Sequence, residues 1–200
     1  MKEKIKVFNK NIIPIRSKDE FIKSIINKKK ILVAIQPRKI ISNNTELTRI
    51  INENIGYPDG QGTVMCLAKK GVNSIKYPGY LLWLDIIENY HEKKSFYLIG
   101  ATEPVIQETI RRLKNQYPKI NIKNFRNGYI KENEIEELKN DLKKRKPDVV
   151  FVAMGSPRQE FLMDKLIKVH PALYVGLGGS FDVYSGNIKA VPKWWEKTVR

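Results

Sequence analysis

The chain has 200 residues, of which 42% are hydrophobic and 29% charged, and this balance excludes a wholly disordered protein. Lys and Arg number 37 against 21 Asp and Glu, which gives a formal net charge of +16. The single cysteine, Cys66, excludes an intramolecular disulfide framework, and every apolar run is far shorter than the roughly 20 residues that cross a bilayer.

The positive charge has two explanations. It is typical of proteins that bind a polyanion, such as nucleic acid, anionic lipid or a phosphorylated substrate. It also follows from A+T-rich coding, because the chain is rich in Lys, Ile and Asn. The lysines are scattered and dominate over arginines, so we expect an anionic membrane surface as a partner and no nucleic acid.

Five short apolar segments are predicted as strands. Continuous apolar runs of this length are typical of parallel strands that are covered on both faces. In chain order they are Ile31–Ile35 and residues 96–99, 120–123, 149–154 and 173–175. No signal peptide is predicted before them, because residues 1–10 are charged and no apolar segment follows, so we expect a cytoplasmic protein.

Amphipathic segments lie between these strands and are predicted as helices over residues 105–113, 135–142 and 162–169. The alternation indicates an α/β fold, with a Rossmann-like, mostly parallel sheet and helices on both faces, in one domain over residues 1–190. Right-handed crossovers bring the carboxyl ends of the strands to one edge, where ligands bind in such sheets.

A Pro-Asp-Gly turn lies within residues 57–62, and an apolar helix-like segment, residues 63–69, follows it. Asp59 is thus placed at or near a helix N-terminus, where a carboxylate can cap the helix. The same carboxylate suits a general base in a ligand site, because an ordinary Asp is ionised at neutral pH. The sequence leaves both roles open.

The segment after the strongest predicted strand reads Gly155-Ser156-Pro157-Arg158-Gln159-Glu160. Ser156 at the N-cap, Pro157 at the first helical position and Gln159 at the third are typical of a capping box. That interpretation leaves Arg158 unexplained. A cation beside a helix N-terminus suits an anion such as a diphosphate.

A glycine-rich turn, residues 176–182, follows the last predicted strand, and its small residues let a ligand approach the backbone closely. It matches neither the dinucleotide-binding fingerprint nor a Walker A loop. The sequence also lacks an Asp-x-Asp pair, and two distant histidines, His91 and His170, are too few for a zinc site. We therefore expect no metal and no other cofactor.

Residues 191–200 are aromatic and basic and include Trp194 and Trp195. This composition is typical of a membrane-proximal segment, and a Trp packed on the domain is the alternative. We expect residues 191–200 to be the start of a basic, aromatic C-terminal segment near the membrane.

Taken in order, these segments resemble the WecG/TagA/CpsF glycosyltransferase family over nearly the whole chain. The anchors are residues 58–62, Pro78-Gly79, residues 98–100, Gly128-Tyr129, residues 155–160, residues 176–182 with Gly186, and residues 191–194.

The resemblance implies a Rossmann-like domain and inverting, metal-independent transfer from a UDP-sugar, with N-acetylmannosamine as the candidate sugar. The implied acceptor is undecaprenyl diphosphate carrying a first sugar, often N-acetylglucosamine, in teichoic acid, capsule or O-antigen synthesis. The resemblance also implies that Asp59 is the catalytic base and that Gln159 belongs to the substrate pocket. Lys76 falls where members usually carry Arg, and Gln36 stands where many have Asn, so the donor or acceptor can differ.

From the residues and the resemblance together, we expect one set of side chains and amides to contact the substrates. This set is Gln36, Gly60, Lys76, Gly155, Ser156, Arg158, Gln159, Gly178, Gly179 and Asp182. The enzyme is expected at the inner face of the cell membrane, and a homo-oligomer is left open. The alternatives are a UDP-glucose, UDP-galactose or UDP-uronic acid donor and, in another class, a Rossmann-type nucleotide-dependent oxidoreductase.

Overall fold

The structure is a computed structural model that describes residues 4–188. Eight strands in this range form one sheet in the order β1-β2-β4-β3-β8-β7-β5-β6. The strands are β1 Ile5–Val7, β2 Lys10–Ile12, β3 Ile31–Ile35, β4 Ile55–Pro58, β5 Ser95–Gly100, β6 Asn121–Arg126, β7 Val149–Ala153 and β8 Leu173–Gly176. All neighbouring pairs are parallel except β1 with β2, which form an antiparallel hairpin at one edge.

Helices cover both faces of the sheet. They are α1 Lys18–Ile25, α2 Pro37–Ile40, α3 Thr45–Glu53, α4 Gln61–Ala68, α5 Gly79–Tyr90, α6 Glu103–Gln116, α7 Ile135–Arg145, α8 Arg158–Ile167 and α9 Ser180–Tyr184. Buried side chains of α1, α5, α6 and α9 form one apolar cluster with the sheet. Those of α3, α7 and α8 form a second cluster on the opposite face. The predicted α/β architecture is confirmed.

Strand β7 shows why the parallel strands read as unbroken apolar runs. Phe151 faces one cluster, Val150 and Val152 face the other, and each is fully buried. Because successive side chains point to opposite faces, a strand covered by helices on both sides must be apolar at every position. Trp83 of α5 closes this part of the core with its ring 5.7 Å from that of Phe151 and 5.4 Å from that of Phe181.

The topology creates the places where a ligand can bind. From β3 the chain crosses to β4 on one side, and the later strand β8 pairs with β3 on the other side. The same reversal occurs at β5, which has β6 on one side and β7 on the other. Clefts form beyond the carboxyl ends of strands at such reversals. No helix of residues 4–188 has the length and apolar character needed to cross a membrane.

Candidate active site

A cleft of about 620 Å³ lies beyond the carboxyl ends of β3, β4, β7 and β8, a volume that suits a small-molecule site. Each of these strands, or the loop that follows it, contributes to the wall. The lining residues include Ala34, Gln36, Arg38, Lys39, Asp59, Gly79, Gly155, Ser156, Gln159, Gly176, Gly178 and Gly179. The cleft therefore combines a carboxylate with the backbone of two glycine-containing loops.

Asp59 lies immediately after β4, and its backbone N–H continues the ladder to β3 by donating to the Ile35 carbonyl at 3.1 Å. The Gln36 side-chain amide donates to Asp59 Oδ2 at 2.6 Å, and the Gly79 N–H donates to Oδ1 at 2.6 Å. Helix α4 begins at Gln61 and its N-cap residue is Gly60, with no side-chain cap, so the interpretation of Asp59 as a helix cap is wrong. Two different segments orient this carboxylate toward the cleft.

The carboxylate keeps acceptor capacity for a substrate. A carboxylate offers about four acceptor positions, and the two hydrogen bonds to Gln36 and Gly79 occupy two of them. The Tyr57 hydroxyl lies behind this site, is fully buried and has no hydrogen-bond partner among the described residues. Burial, and to a lesser extent the charge of Asp59, raises the pKa of Tyr57 well above its ordinary value, so this hydroxyl keeps its proton.

Gln159 fixes the glycine-rich loop after β8. Its Oε1 accepts the Gly178 N–H at 2.9 Å, and its Nε2 donates to Glu160 Oε1 at 3.2 Å. A Cβ at Gly176 would lie 2.7 Å from Gln159 Nε2, so this position must be glycine for the amide to fit. The Gln159 side chain is 2% exposed and lines the cleft.

The predicted capping box is not formed. Helix α8 begins at Arg158, and its N-cap residue is Pro157, which has no side-chain cap. Because the helix begins one residue later than a Ser156 cap requires, Ser156 lies in the cleft wall. Gln159 is then turned toward the Gly178 loop. The Gln159 side chain thus forms part of the cleft wall.

A buried ion pair lies below the cleft. Lys39 Nζ donates to Glu160 Oε1 at 2.7 Å and to the Ala34 carbonyl at 2.8 Å. Lys39 is 8% exposed and Glu160 is fully buried. With Gln159 and the Gly178 amide, these contacts join the end of β3 to the loop after β8, so the pair holds together two walls of the cleft.

A smaller cleft of about 300 Å³ adjoins the larger one beyond β5 and β7. The two clefts share Gly155, Gly178 and Gly179. The smaller cleft is also lined by Tyr129, Arg158 and Asp182, and the guanidinium of Arg158 donates to the Gly128 carbonyl at 2.8 Å.

The shared boundary offers backbone donors. The Gly178 N–H is already used by Gln159, which removes it from the amides expected to bind a diphosphate. The amides of Gly155, Ser156 and Gly179 make no hydrogen bond within residues 4–188. Such amides next to a helix N-terminus are suited to an anion.

The structure thus brings most of the expected residues together. Seven line the larger cleft, with Asp59 as the carboxylate among them, and two more line the smaller one but not the larger. The seven are Gln36, Asp59, Gly155, Ser156, Gln159, Gly178 and Gly179, and the two are Arg158 and Asp182.

Gly60 and Lys76 line neither cleft. Lys39 and Gly79 line the larger cleft but were not predicted as members of the site. Gly79 could have been predicted, because it is an anchor of the family resemblance. No feature of the sequence indicates that Lys39 lies in the site. The described residues contain no group of three or more His, Cys, Asp or Glu placed to hold a metal ion. The expected aromatic segment, residues 191–200, lies outside the described range.

Comparison with known proteins identifies the family of this chain and relatives of known activity. The model of the glycosyl transferase WecG/TagA/CpsF family matches residues 6–199. The N-acetylglucosaminyldiphosphoundecaprenol N-acetyl-beta-D-mannosaminyltransferase of Bacillus spizizenii is 41% identical over 142 residues, which are 69% of this chain and 54% of the relative. The match thus spans about half the length of that relative. The chain belongs to the WecG/TagA/CpsF family of glycosyl transferases.

Proposed function

We propose that this protein is an inverting, metal-independent glycosyltransferase. It moves a sugar, with N-acetylmannosamine as the first candidate, from a UDP-sugar to an N-acetylglucosamine-type sugar on undecaprenyl diphosphate. The single observation that carries the proposal is that the Asp59 carboxylate opens into the cleft whose glycine-lined boundary offers unused amides. The activity for which the Bacillus spizizenii relative is named supports the choice of transferred sugar and acceptor.

The two adjoining clefts suggest how the donor lies. The diphosphate joins the sugar to the nucleoside, so it belongs at the boundary shared by the clefts, on the amides of Gly155, Ser156 and Gly179. Arg158 and the N-terminus of α8 add positive potential on the side of the smaller cleft. The nucleoside then occupies the smaller cleft, where the ring of Tyr129, which is 69% exposed, is available for stacking.

The larger cleft then holds the sugar and the acceptor. The acceptor oxygen forms a bond to the anomeric carbon while the bond from that carbon to the β-phosphate oxygen breaks. UDP leaves with the electrons of that bond, and Asp59 takes the proton of the acceptor hydroxyl. One displacement of this kind inverts the configuration at the anomeric carbon.

The protein stabilises the transition state where charge develops. Negative charge grows on the leaving diphosphate, and fixed amide donors with a guanidinium stabilise it without reorganisation. The hydrogen bonds from Gln36 and Gly79 hold the Asp59 carboxylate in place before the acceptor arrives. The reaction requires a base held next to the acceptor hydroxyl and an anion site held next to the leaving diphosphate. Both are positioned before the substrates bind.

Donor identity is the least constrained part of the proposal. Gln36 contacts Asp59 directly, and it stands where many members of the family have Asn, so the longer amide can alter which sugar fits beside the base. UDP-glucose, UDP-galactose and UDP-uronic acids remain the alternative donors. The substrate's lipid and the net charge of +16 support a location at the inner, anionic face of the cell membrane.

The proposal is tested by a transfer assay read by mass spectrometry. The purified protein is given each UDP-sugar with a short-chain lipid-diphosphate N-acetylglucosamine acceptor, with and without EDTA. We expect one added N-acetylhexosamine from UDP-N-acetylmannosamine and an equal rate in EDTA. Transfer only from another UDP-sugar would correct the donor, EDTA-sensitive transfer would reject metal independence, and no transfer from any donor would reject the proposed function.

A further inference from the structure

A third cavity leads out of the larger cleft on the side of α2. It has a volume of about 430 Å³ and shares Arg38, Lys39 and Ser156 with the larger cleft. Its remaining lining residues are Ile41, Ser42, Asn44, Leu47 and Pro157. It shares no lining residue with the smaller cleft, which lies beyond β5 and β7, whereas α2 follows β3. The larger cleft, which Asp59 lines, therefore adjoins both the smaller cleft and this third cavity.

Arg38 is the cation that is available at the mouth of this third cavity. Lys39, its neighbour, is buried and engaged by Glu160 and the Ala34 carbonyl. Arg38 is exposed and makes no ion pair or hydrogen bond with any residue of the range 4–188. An unpaired guanidinium between two connected cavities is suited to a phosphate or diphosphate, which it can bind through two parallel hydrogen bonds.

Three apolar residues and two polar ones, Ser42 and Asn44, complete the wall of the third cavity beyond the residues that it shares with the larger cleft. Ile41 is 68% exposed although it is a large aliphatic residue, and Leu47 and Pro157 form the adjoining wall. A cation shared with the larger cleft, together with apolar side chains that line the third cavity and not that cleft, complements an amphiphile whose anionic group points toward the larger cleft. Free phosphate would leave the apolar part unused.

The order of groups in the acceptor matches the order of these residues. A lipid-linked acceptor presents its reacting hydroxyl, then its sugar ring, then the diphosphate and then the isoprenoid chain. Gln36 binds Asp59, and Arg38 follows it by two residues, so their Cα atoms are at most about 7 Å apart. With the hydroxyl at Asp59, a diphosphate one sugar ring away can reach Arg38.

We propose that Arg38 binds the diphosphate of the lipid-linked acceptor and that the cavity beyond it holds the first part of the lipid chain. This assignment rests on the proposed function and adds to it a subsite for the acceptor. The donor diphosphate lies at the glycine-lined boundary and the acceptor diphosphate at Arg38, so the two substrates reach the base through different cavities.

Steady-state kinetics of Arg38→Ala and Arg38→Lys test the assignment. We expect Arg38→Ala to raise KM for the acceptor about tenfold to a hundredfold, since a hydrogen bond to a charged group contributes that much binding. KM for the UDP-sugar stays within about twofold. Arg38→Lys recovers part of the loss, because Lys keeps the charge without the planar fork. Arg111→Ala, which removes one positive charge from the exposed surface of α6, serves as the matched control and leaves both constants unchanged.

A second acceptor, which lacks phosphate, tests whether the contribution of Arg38 to binding depends on the diphosphate. With an alkyl N-acetylglucosaminide that lacks phosphate, the wild type and Arg38→Ala should show equal KM values. An unchanged acceptor KM in Arg38→Ala would overturn the assignment, as would an equal loss with the phosphate-free acceptor or a larger effect on UDP-sugar binding. If the wild type itself transfers no sugar, the proposed function fails instead, and the two failures are therefore distinct.

Discussion

Asp59→Asn is expected to lower kcat by about a hundredfold to ten-thousandfold, the range that a positioned general base contributes. The side-chain oxygen of Asn can still accept the Gly79 N–H that now reaches Oδ1 at 2.6 Å, so the loop keeps its position. What is lost is the group that accepts the proton of the acceptor hydroxyl. UDP binding, measured by titration calorimetry, should change little because the donor diphosphate lies at the glycine-lined boundary.

The matched control is Asp19→Asn, which removes one exposed carboxylate from the first turn of α1. It should transfer sugar at the wild-type rate. A wild-type rate in Asp59→Asn would show that Asp59 is not the base. Equal losses of UDP affinity and turnover in that variant would instead place the carboxylate in donor binding.

The largest expected effect on stability follows from breaking the pair of Lys39 and Glu160. Replacing one partner leaves a buried charge uncompensated, so Lys39→Met or Glu160→Met should lower the free energy of unfolding by about 3–5 kcal/mol. Lys39→Met should cause the larger loss, because it leaves unpaired the carboxylate of Glu160, which is fully buried and whose Oε2 already lacks a hydrogen bond among the described residues. Urea denaturation followed by circular dichroism measures the loss.

The double variant Lys39→Met/Glu160→Met distinguishes a charge effect from poor packing. Removal of both charges should restore much of the stability lost in either single variant, because apolar pairs of similar volume often replace buried ion pairs without loss. Glu136→Gln, which breaks the exposed pair of Glu136 with Lys139, should leave the denaturation midpoint unchanged. Additive losses in the double variant would mean that the two side chains act independently.

The parts of the fold that could be predicted are those with a strong local pattern. Strand β7 has five consecutive apolar residues that are all buried, and its prediction is correct to within one residue. Strand β6 was predicted as residues 120–123 but spans Asn121–Arg126, because it is an edge strand whose half-exposed side chains weaken the apolar run. Helix α5 was missed because its apolar residues extend around most of the helix and hide the helical period.

The hairpin of β1 and β2 and strand β4 were missed for a different reason. Each has only three or four residues, and β4 reads Ile-Gly-Tyr-Pro, in which Gly and Pro argue against a strand. Pairing with β3 over four residues compensates for this poor local propensity. Long-range pairing of this kind cannot be predicted from a short segment alone.

The site was predictable only where topology carried the information. Parallel strands bring their carboxyl ends to one edge, and that rule brings Asp59, Gly155 and Gly179 into adjoining clefts. The partnership of Lys39 with Glu160 was not predictable, because 121 positions separate the two residues and neither lies in a pattern that indicates a buried charge. The error at Ser156 arose because the helix start was placed from residue type alone.

The most direct test of the central claim is a crystal structure of the protein with UDP bound. We expect the diphosphate at the boundary formed by Gly155, Ser156 and Gly179, the nucleoside in the smaller cleft beside Tyr129, and the terminal phosphate directed toward the cleft that contains Asp59. A diphosphate bound beyond Arg38, with the nucleoside in the cavity along α2 and the glycine-lined boundary left to solvent, would contradict it.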